Sequence, residues 1–283
     1  MPEIPGLPAF PPVSRQPLSG GCVSQVSLLQ FEKGRRVVEK RRGDPAAPCL
    51  LTEGWMLTLL GEKGGLPVPQ VLHATPDLLL LEFVEGMPGL TAVAQEDAAE
   101  KIAALHAVEG EAYGLERTTP IGLLPQDNRW CDSWLSFFRD RRLLPMARLA
   151  HARGGLGLET LQRLDRLADQ LDRWLEEPQA PALLHGDLWG GNIISGSTGV
   201  AAFIDPAVYF GHPEIELAFG TLFGTLNEWF FARYAEMRPL EPGFFEVRRD
   251  LYNLYPLLVH AAMFGGGYGQ QVDRTLNRFC GWA

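Results

Sequence analysis

Apolar and polar positions change rhythm once along this chain. Residues 24–31 and 36–40 read as two strands around a turn at 32–35, where Gly34 supplies the flexibility. Residues 48–60 read as a helix, with Leu51, Trp55, Met56, Leu59 and Leu60 on or near one face and Gly61 as its stop. After GEKGGLPVP the chain resumes at 70–73 and turns at Pro76 and Asp77. It then enters LLLLEFVEG, where 78–84 reads as a buried strand that stops in Glu85, Gly86 and Pro88. Beyond it the spacing becomes helical. Ala99, Ile102, Ala103 and His106 recur within 96–106, and His106 is expected as a packed core histidine. Residues 130–150 carry an aromatic side, Trp134, Phe137 and Phe138, and the basic residues Arg139, Arg141 and Arg142. Leu158 to Leu175 marks one long amphipathic helix. Residues 214–234 and 244–264 are again helical, and the glycines within 265–269 read as a C-terminal loop.

One stretch carries chemistry beyond this pattern. Asp187, Asn192 five residues on, and Asp205 at the end of a short apolar run stand in fixed order within LLHGDLWGGNIISGSTGVAAFIDPA, residues 183–207. The protein-kinase catalytic loop, HRDxxxxN, uses its Asp to orient the attacking hydroxyl and its Asn to hold Mg²⁺, and a later Asp binds metal between the nucleotide phosphates. His185, Asp187 and Asn192 reproduce that loop with Gly186 in place of the Arg. A carboxylate that accepts a hydroxyl proton must stand near the metals without becoming a ligand, so a short rigid loop separates Asp187 from Asn192. Asp205 arrives from another segment, because Mg²⁺ takes octahedral oxygen ligands and keeps several for phosphate and water. A turn at HGD or a strand end at IDP would explain either fragment alone. Together they point to transfer of a phosphoryl group from ATP, with Mg²⁺, to a hydroxyl: Asp187 as base, Asn192 and Asp205 as metal ligands.

The residues before position 85 offer partners for the nucleotide. Lys40 closes the strand pattern VVEK as the kinase β3 lysine closes VAIK. Glu53, the only acid within 48–60, is the candidate to hold that lysine against the α- and β-phosphates. A surface lysine and an exposed helical glutamate are the competing accounts. Gly20 and Gly21 let backbone N–H groups approach phosphates, although GxGxxG is absent. Four lysines, none followed by Ser or Thr, exclude a Walker A loop. The Glu82 carbonyl and Val84 N–H are placed by order alone to pair with adenine. The expected fold is α+β and protein-kinase-like, in two lobes. A small β-rich N-terminal lobe with one helix, residues 1–84, binds nucleotide. A larger, mainly helical C-terminal lobe, residues 85–283, holds catalysis and substrate.

Composition narrows the class. The 283 residues are 46% hydrophobic, which suits a soluble globular protein, and no apolar run of about 18 residues predicts a membrane span. MPEIPGLPAFPPV lacks the positive region of a signal peptide and reads as a proline-stiffened tail, so a cytoplasmic protein is expected. A net charge of −9 argues against nucleic acid as a partner. The one basic cluster, Lys33 to Arg42, is broken by Glu39 and reads as a solvated hairpin. Cysteines at 22, 49, 131 and 280 form no CxxC pair, so reduced thiols are expected. Cys22, in the glycine loop, is the candidate redox site, because a thiol among phosphate-binding N–H groups has a depressed pKa. A small residue filling a tight loop is the plainer account. Monomer and homodimer both stay open.

LLHGDLWGGNII, FIDPAVYFGHPEIELAFGTLFG, PIGLLPQDNRWCDSWLSFFRDRRL and LYNLYPLLVHAAMFGGGY together resemble the fructosamine kinases, or ketosamine-3-kinases, relatives of the aminoglycoside and choline kinases. The resemblance runs from SGGCVSQV to the GGGY loop, and HGDLWxGN with IDPAxYxGHxE gives it specificity. It implies the same roles for Asp187, Asn192, Asp205, Lys40 and Glu53. It adds Trp189 as a platform for the sugar of a ketoamine, and His260 as a histidine beside that pocket, a core histidine being the alternative. Two positions depart: the family usually has Asp where Glu216 stands and Asn where Val259 stands. The implied reaction phosphorylates the 3-hydroxyl of a ketosamine on a small amine or a glycated protein. The 3-phosphate then eliminates and frees the amine, so the implied role is deglycation. The residues alone imply only transfer to a hydroxyl. An aminoglycoside or choline kinase would need an anionic pocket, for which Glu214, Glu216 and Glu228 are available. A nucleotide-binding pseudokinase or partner protein has the intact Lys40, Asp187, Asn192 and Asp205 against it. A metallohydrolase of His185, Asp187, Asp205 and His212 matches no common zinc spacing.

Overall fold

The computed structural model describes residues 11–18 and 24–279. Its N-terminal sheet is antiparallel: β1 (Ser14–Pro17), β2 (Gln25–Gln30) and β3 (Arg36–Arg41), then, after helix α1 (Leu50–Glu62), β4 (Val71–Ala74) and β5 (Leu78–Glu82). The strand order is β1-β2-β3-β5-β4. β1 has no apolar alternation to announce it; backbone pairing holds it, from Ser14 opposite Gln30 to Pro17 opposite Ser27. β3 is central, with Lys40 opposite Val26 on one side and Leu79 on the other.

α1 is sandwiched, and this explains why the one-face reading of it was incomplete. Leu50 and Leu57 pack on Leu79 and Leu81 of the sheet, whereas Met56 and Leu60 join the large core of the helical part. A helix buried on two sides has no single apolar stripe. Leu51, expected to be buried, is exposed, and the helix runs through the expected stop at Gly61.

The remainder is mainly helical. In chain order it comprises β6 (Met87–Pro88), α2 (Ala94–His106), β7 (Thr119–Ile121), β8 (Leu124–Gln126), α3 (Trp134–Phe137), α4 (Leu144–Ala152) and α5 (Leu158–Ala168). Then follow β9 (Ala182–Leu184), β10 (Ile193–Ser195), β11 (Val200–Phe203), β12 (Tyr209–Gly211), α6 (Pro213–Leu222), α7 (Glu228–Met237), α8 (Arg249–Phe264) and α9 (Tyr268–Phe279). With the sheet, this is an α+β architecture. Among the described residues no helix is long and apolar enough to cross a membrane.

Four helical expectations change. Residues 130–150 are interrupted by a π turn at Phe138–Leu143, which carries Arg142 inward. Arg142 is buried, not part of a basic face: its guanidinium lies 4.1 Å from the Tyr209 ring centroid and 4.5 Å from that of Phe137, and it donates to the Asn128 side chain at 2.6 Å. The helix from Leu158 ends at Ala168, and Leu171 and Leu175 stay buried from a tight 3₁₀ turn. The stretch 214–234 breaks after Leu222; Asn227 caps the next helix by accepting from the Trp229 N–H at 3.0 Å. The expected C-terminal glycine loop is only a turn, with left-handed Gly265 and Gly266, leading into α9.

Candidate active site

β9 and β12 pair antiparallel, Leu184 opposite Tyr209, so the segments that leave one and enter the other lie side by side. Here the loop needs glycine at 186. Its φ is +86, and an added Cβ would lie 2.0 Å from the Ala207 carbonyl oxygen. This is the physical reason why Gly186 replaces the kinase arginine. The same contact is closed by the Ala207 N–H donating to the His185 carbonyl at 2.8 Å.

The loop is held from beneath by a buried chain of polar groups. The Gly186 N–H donates to Glu216 Oε1 at 2.6 Å, and the His185 N–H to Oε2 at 3.3 Å. His106 Nε2 lies 2.9 Å from the same Oε2, and its Nδ1 lies 2.8 Å from the Tyr234 hydroxyl. His106 is thus a core histidine, as expected, whose ring holds the carboxylate under the loop. The His185 ring spans the two acidic segments: Nε2 donates to the Ile204 carbonyl at 3.1 Å and Nδ1 accepts the Asp187 N–H at 3.3 Å. Burial depresses the His185 pKa, and a neutral ring with one N–H suits both bonds.

Asp187 and Asn192 meet directly. The Asn192 amide donates to Asp187 Oδ2 at 2.8 Å and to the Asp187 carbonyl at 2.9 Å. That turns Asn192 Oδ1 away from Asp187, as a cation ligand requires. Burial pushes the Asp187 carboxyl up to about 7, against the Asn192 hydrogen bond, with the charges of Asp205 and Glu216 adding to the rise.

Asp205 has φ 51, in the left-handed region that favours glycine. Such a conformation costs about 1 kcal/mol or more and persists where the surroundings impose it. Its Oδ1 contacts Lys40 Nζ, which also lies 2.6 Å from Glu53 Oε1. Burial works to depress the Lys40 ammonium, but the two carboxylates outweigh it and hold its pKa above the ordinary value. Burial works to raise Asp205, but Lys40 outweighs it and the net shift is down. Glu53 is raised by burial despite Lys40. Neither Lys40 nor Glu53 is therefore the surface residue that the sequence allowed.

Elsewhere the placement is less informative. Glu82 ends β5, its N–H donating to the Gln70 carbonyl at 2.9 Å, and Val84 follows half-buried. Arg36 stacks 4.3 Å from the centroid of Phe83 between them and pairs with Glu85. Gly20, Gly21 and Cys22 lie outside the described residues.

On the other side of Asp187 the site is aromatic. The Trp189 ring lies across Gly191, where an added Cβ would come within 2.3 Å of it. Trp189 meets Phe223 at a centroid distance of 6.3 Å, and Phe223 meets His260 at 5.2 Å. His260 Nδ1 donates to the Pro256 carbonyl at 2.7 Å, and burial lowers its pKa. A cavity of about 30 Å³ opens between Asp187, Gly186, Tyr209, Phe219, Tyr255 and His260. Val259 adds an apolar wall where Asn was expected from the resemblance. Phe223 and Thr225, which takes the Gly190 N–H at 2.8 Å, were not singled out from sequence. They lie in the break between α6 and α7, and Gly224 (φ +68) was the signal that could have exposed it.

Hard oxygen donors from Asn192 and Asp205 suit Mg²⁺, and a buried ammonium held by two carboxylates suits a phosphate chain. Competing donor sets are committed elsewhere. Both His185 nitrogens are engaged, and His212 is half-buried, its Nδ1 accepting from the Glu214 N–H at 3.1 Å. Burial, with Arg248 and His106 nearby, pushes His212 down to about 3. Glu214 receives Arg248 through two contacts of 2.6 Å, and Glu216 is taken by the loop.

Similarity to known proteins follows the same lines. The fructosamine kinase family model matches residues 7–280. A probable ketoamine kinase of Synechocystis sp. is 33% identical over 273 residues, 93% of this chain and 89% of that protein. The ketosamine-3-kinase of Mus musculus is 32% identical, covering 88% of this chain and 89% of its own length. A Thermobifida fusca crystal structure described as a fructosamine-3-kinase superposes with a TM-score of 0.82 at 32% identity, over 94% of each chain. An aminoglycoside phosphotransferase superposes with a TM-score of 0.68 at 16% identity over 96% of each, a likeness of fold alone. The chain belongs to the fructosamine kinase family.

Proposed function

We propose that this protein phosphorylates the 3-hydroxyl of ketosamines, on a small amine or a glycated protein, at the expense of ATP. The observation that carries the reading is one arrangement: the Asn192 amide, which donates to Asp187, also reaches the Asp205 carbonyl at 3.4 Å and so joins the Asp187–Asn192 pair to the Lys40–Glu53–Asp205 cluster, and Asp187 lines a cavity with aromatic walls. In this reading Asp187 orients the acceptor hydroxyl and takes its proton; a carboxyl near 7 is matched to that task at neutral pH. Asn192 fixes the rotamer of that carboxylate, and His185 and Glu216 fix the backbone beneath it. Lys40, positioned by Glu53, binds the α- and β-phosphates, while Asn192 Oδ1 and Asp205 hold metal. Bound ATP supplies the phosphoryl group and Mg²⁺ neutralises the charge on its phosphates. Trp189 and His260 flank the sugar. Residues 1–84 act as the nucleotide lobe, with the Glu82 carbonyl and Val84 N–H toward adenine, and residues 85–283 as the catalytic lobe.

The substrate class rests on the relatives, a ketosamine-3-kinase in mouse and a protein-ribulosamine 3-kinase in Oryza sativa among them. A phosphate on carbon 3, next to the carbonyl carbon, is a good leaving group: its elimination from the enaminol form leaves an imine at carbon 1, and water hydrolyses that imine to the free amine and a dicarbonyl sugar. The product side of the reaction is therefore deglycation, which we assign to the cytoplasm. Of the acids that an aminoglycoside site would draw on, Glu214 and Glu216 are already bonded inside the fold and Glu228 alone is exposed, which weighs against polycationic acceptors. The test is ADP release with ribulose-lysine and fructose-lysine beside an aminoglycoside panel. Turnover of a ketosamine is expected; none on either ketosamine overturns the reading.

A further inference from the structure

The cavity at Asp187 is open on one side, and the surface at its mouth is where an acceptor's amine substituent can lie once its hydroxyl reaches Asp187. That surface has a definite character. From His260 and Phe219 in the cavity wall, ring contacts continue outward: Phe219 to Phe223 at 6.0 Å, His260 to Phe223 at 5.2 Å, His260 to Phe264 at 5.7 Å, and Phe223 to Trp189 at 6.3 Å.

Trp189, Phe223 and Phe264 are 40%, 44% and 53% exposed; Trp130, Trp229 and Phe245 are exposed as well, but they do not line or adjoin the cavity. Trp189 touches Phe223, and Phe264 joins them through His260, so the rings form one patch, which has a cost in water unless something covers it. Of the two acids in the cavity wall, Glu216 is bonded to the loop and Asp187 faces the reacting hydroxyl in this reading.

We infer that Trp189, Phe223 and Phe264 form a rim subsite for the nitrogen substituent of the acceptor, selecting ketosamines whose amine carries an uncharged apolar or aromatic arm. The inference rests on the ketosamine reading and deepens it. The sugar carbons fill the cavity mouth, the amine nitrogen emerges beside Trp189 and His260, and the arm lies over Phe223 toward Phe264. A π face accepts an alkyl chain or a ring and tolerates the adjacent ammonium, whereas a carboxylate on the arm meets the negative faces of the rings.

The experiment compares the ribulosamines of methylamine, benzylamine and glycine by ADP release, in wild type and in Phe264→Ala. The expected wild-type kcat/KM for the benzylamine adduct exceeds that for the methylamine adduct by about tenfold, the worth of one to two ring contacts. The glycine adduct is the poorest. In Phe264→Ala the benzyl-to-methyl ratio falls to about two. Because Phe264 is half out of the protein, the variant keeps its fold, checked by an unchanged unfolding temperature. A wild-type ratio near one, or a ratio that survives the substitution, overturns the rim while leaving ketosamine turnover standing. No turnover of any ketosamine overturns the functional reading itself. A concentration-dependent dimer in wild type that is lost in Phe264→Ala would assign the rim to a second copy and overturn the inference.

Discussion

The charged half of the site and its aromatic half are built on opposite terms. Around Lys40, Asp187, Asn192 and Asp205 each side chain has a named polar partner, and the loop that carries Asp187 is tied through His185 and Glu216 into the core. Around Trp189, Phe223 and Phe264 the contacts are ring edges on an exposed surface, without a polar bond to fix them. A buried polar network is costly when one member is lost, so its parts are interdependent. Ring contacts are worth about 0.5–1.5 kcal/mol each and can be exchanged singly. The first half suits a reaction that must not vary, and the second suits a substrate that can.

The hardest test of the charged half is Asp187→Asn. We expect kcat to fall by about 10²–10⁴-fold, the usual worth of a positioned general base. Stability should move in the opposite direction. Burial holds the Asp187 carboxyl at about 7 against an ordinary 3.8. Below the lower value the proton is bound in folded and unfolded chains alike. As pH rises through the interval only the folded state keeps it, and above the upper value the fold carries a buried charge, so stability is lost as pH rises. Asparagine mimics the protonated form. Without nucleotide and metal, the unfolding temperature of Asp187→Asn should match wild type near pH 4 and exceed it increasingly toward pH 8. A variant less stable than wild type at pH 8 breaks this account of the base.

Next comes Lys40→Met, which leaves Glu53 and Asp205 facing each other without a cation. A loss of about 10²-fold in kcat/KM for ATP is expected, with a smaller change in KM for the ketosamine. Equal effects on both substrates would mean that the two halves are not separate. Glu216→Gln probes the support of the loop. Glutamine can accept from one of the two backbone N–H groups but presents its own NH₂ to the other, so about 1–3 kcal/mol of stability should be lost on thermal unfolding, with roughly tenfold in kcat. Glu216→Asp, the residue usual in the family, should recover part of both.

The two halves also differed in how readable they were. Asp187, Asn192 and Asp205 stand out because the proposed phosphoryl transfer calls for those residue types in one order, and the structure brings Lys40 and Glu53 to the same place. The sheet was legible where strands alternate and illegible at β1, where only backbone pairing holds SRQP in place. Trp189 and His260 were named through resemblance, whereas Phe223 was hidden in a stretch that looked like one continuous helix. The burial of Arg142 could not be read from its place among Arg139 and Arg141, because a π turn, which shifts the facing of a helix, leaves no mark in apolar spacing. Contacts between ring faces from distant segments have no sequence period, so the aromatic half could be assembled only in three dimensions.

The smallest expected effect isolates that half most cleanly. Gly191 stands between Trp189 and Asn192, the proposed metal ligand, and its backbone is not in the left-handed region, so alanine fits the main chain. What alanine cannot do is share space with the Trp189 ring, whose atoms would lie 2.3–2.8 Å from the new Cβ. The ring, at the end of a rotatable side chain, must move. Gly191→Ala should therefore raise KM for the ketosamine by about three- to tenfold, the loss of one ring contact, and leave KM for ATP unchanged. The decisive comparison is the double-mutant cycle with Trp189→Ala. If Gly191 acts only through the ring, alanine at 191 has no further effect once the ring is gone, and the two changes are strongly non-additive. Additive losses, or a rise in KM for ATP, would mean that the substitution disturbs Asn192, and that the loop couples the aromatic half to the charged one.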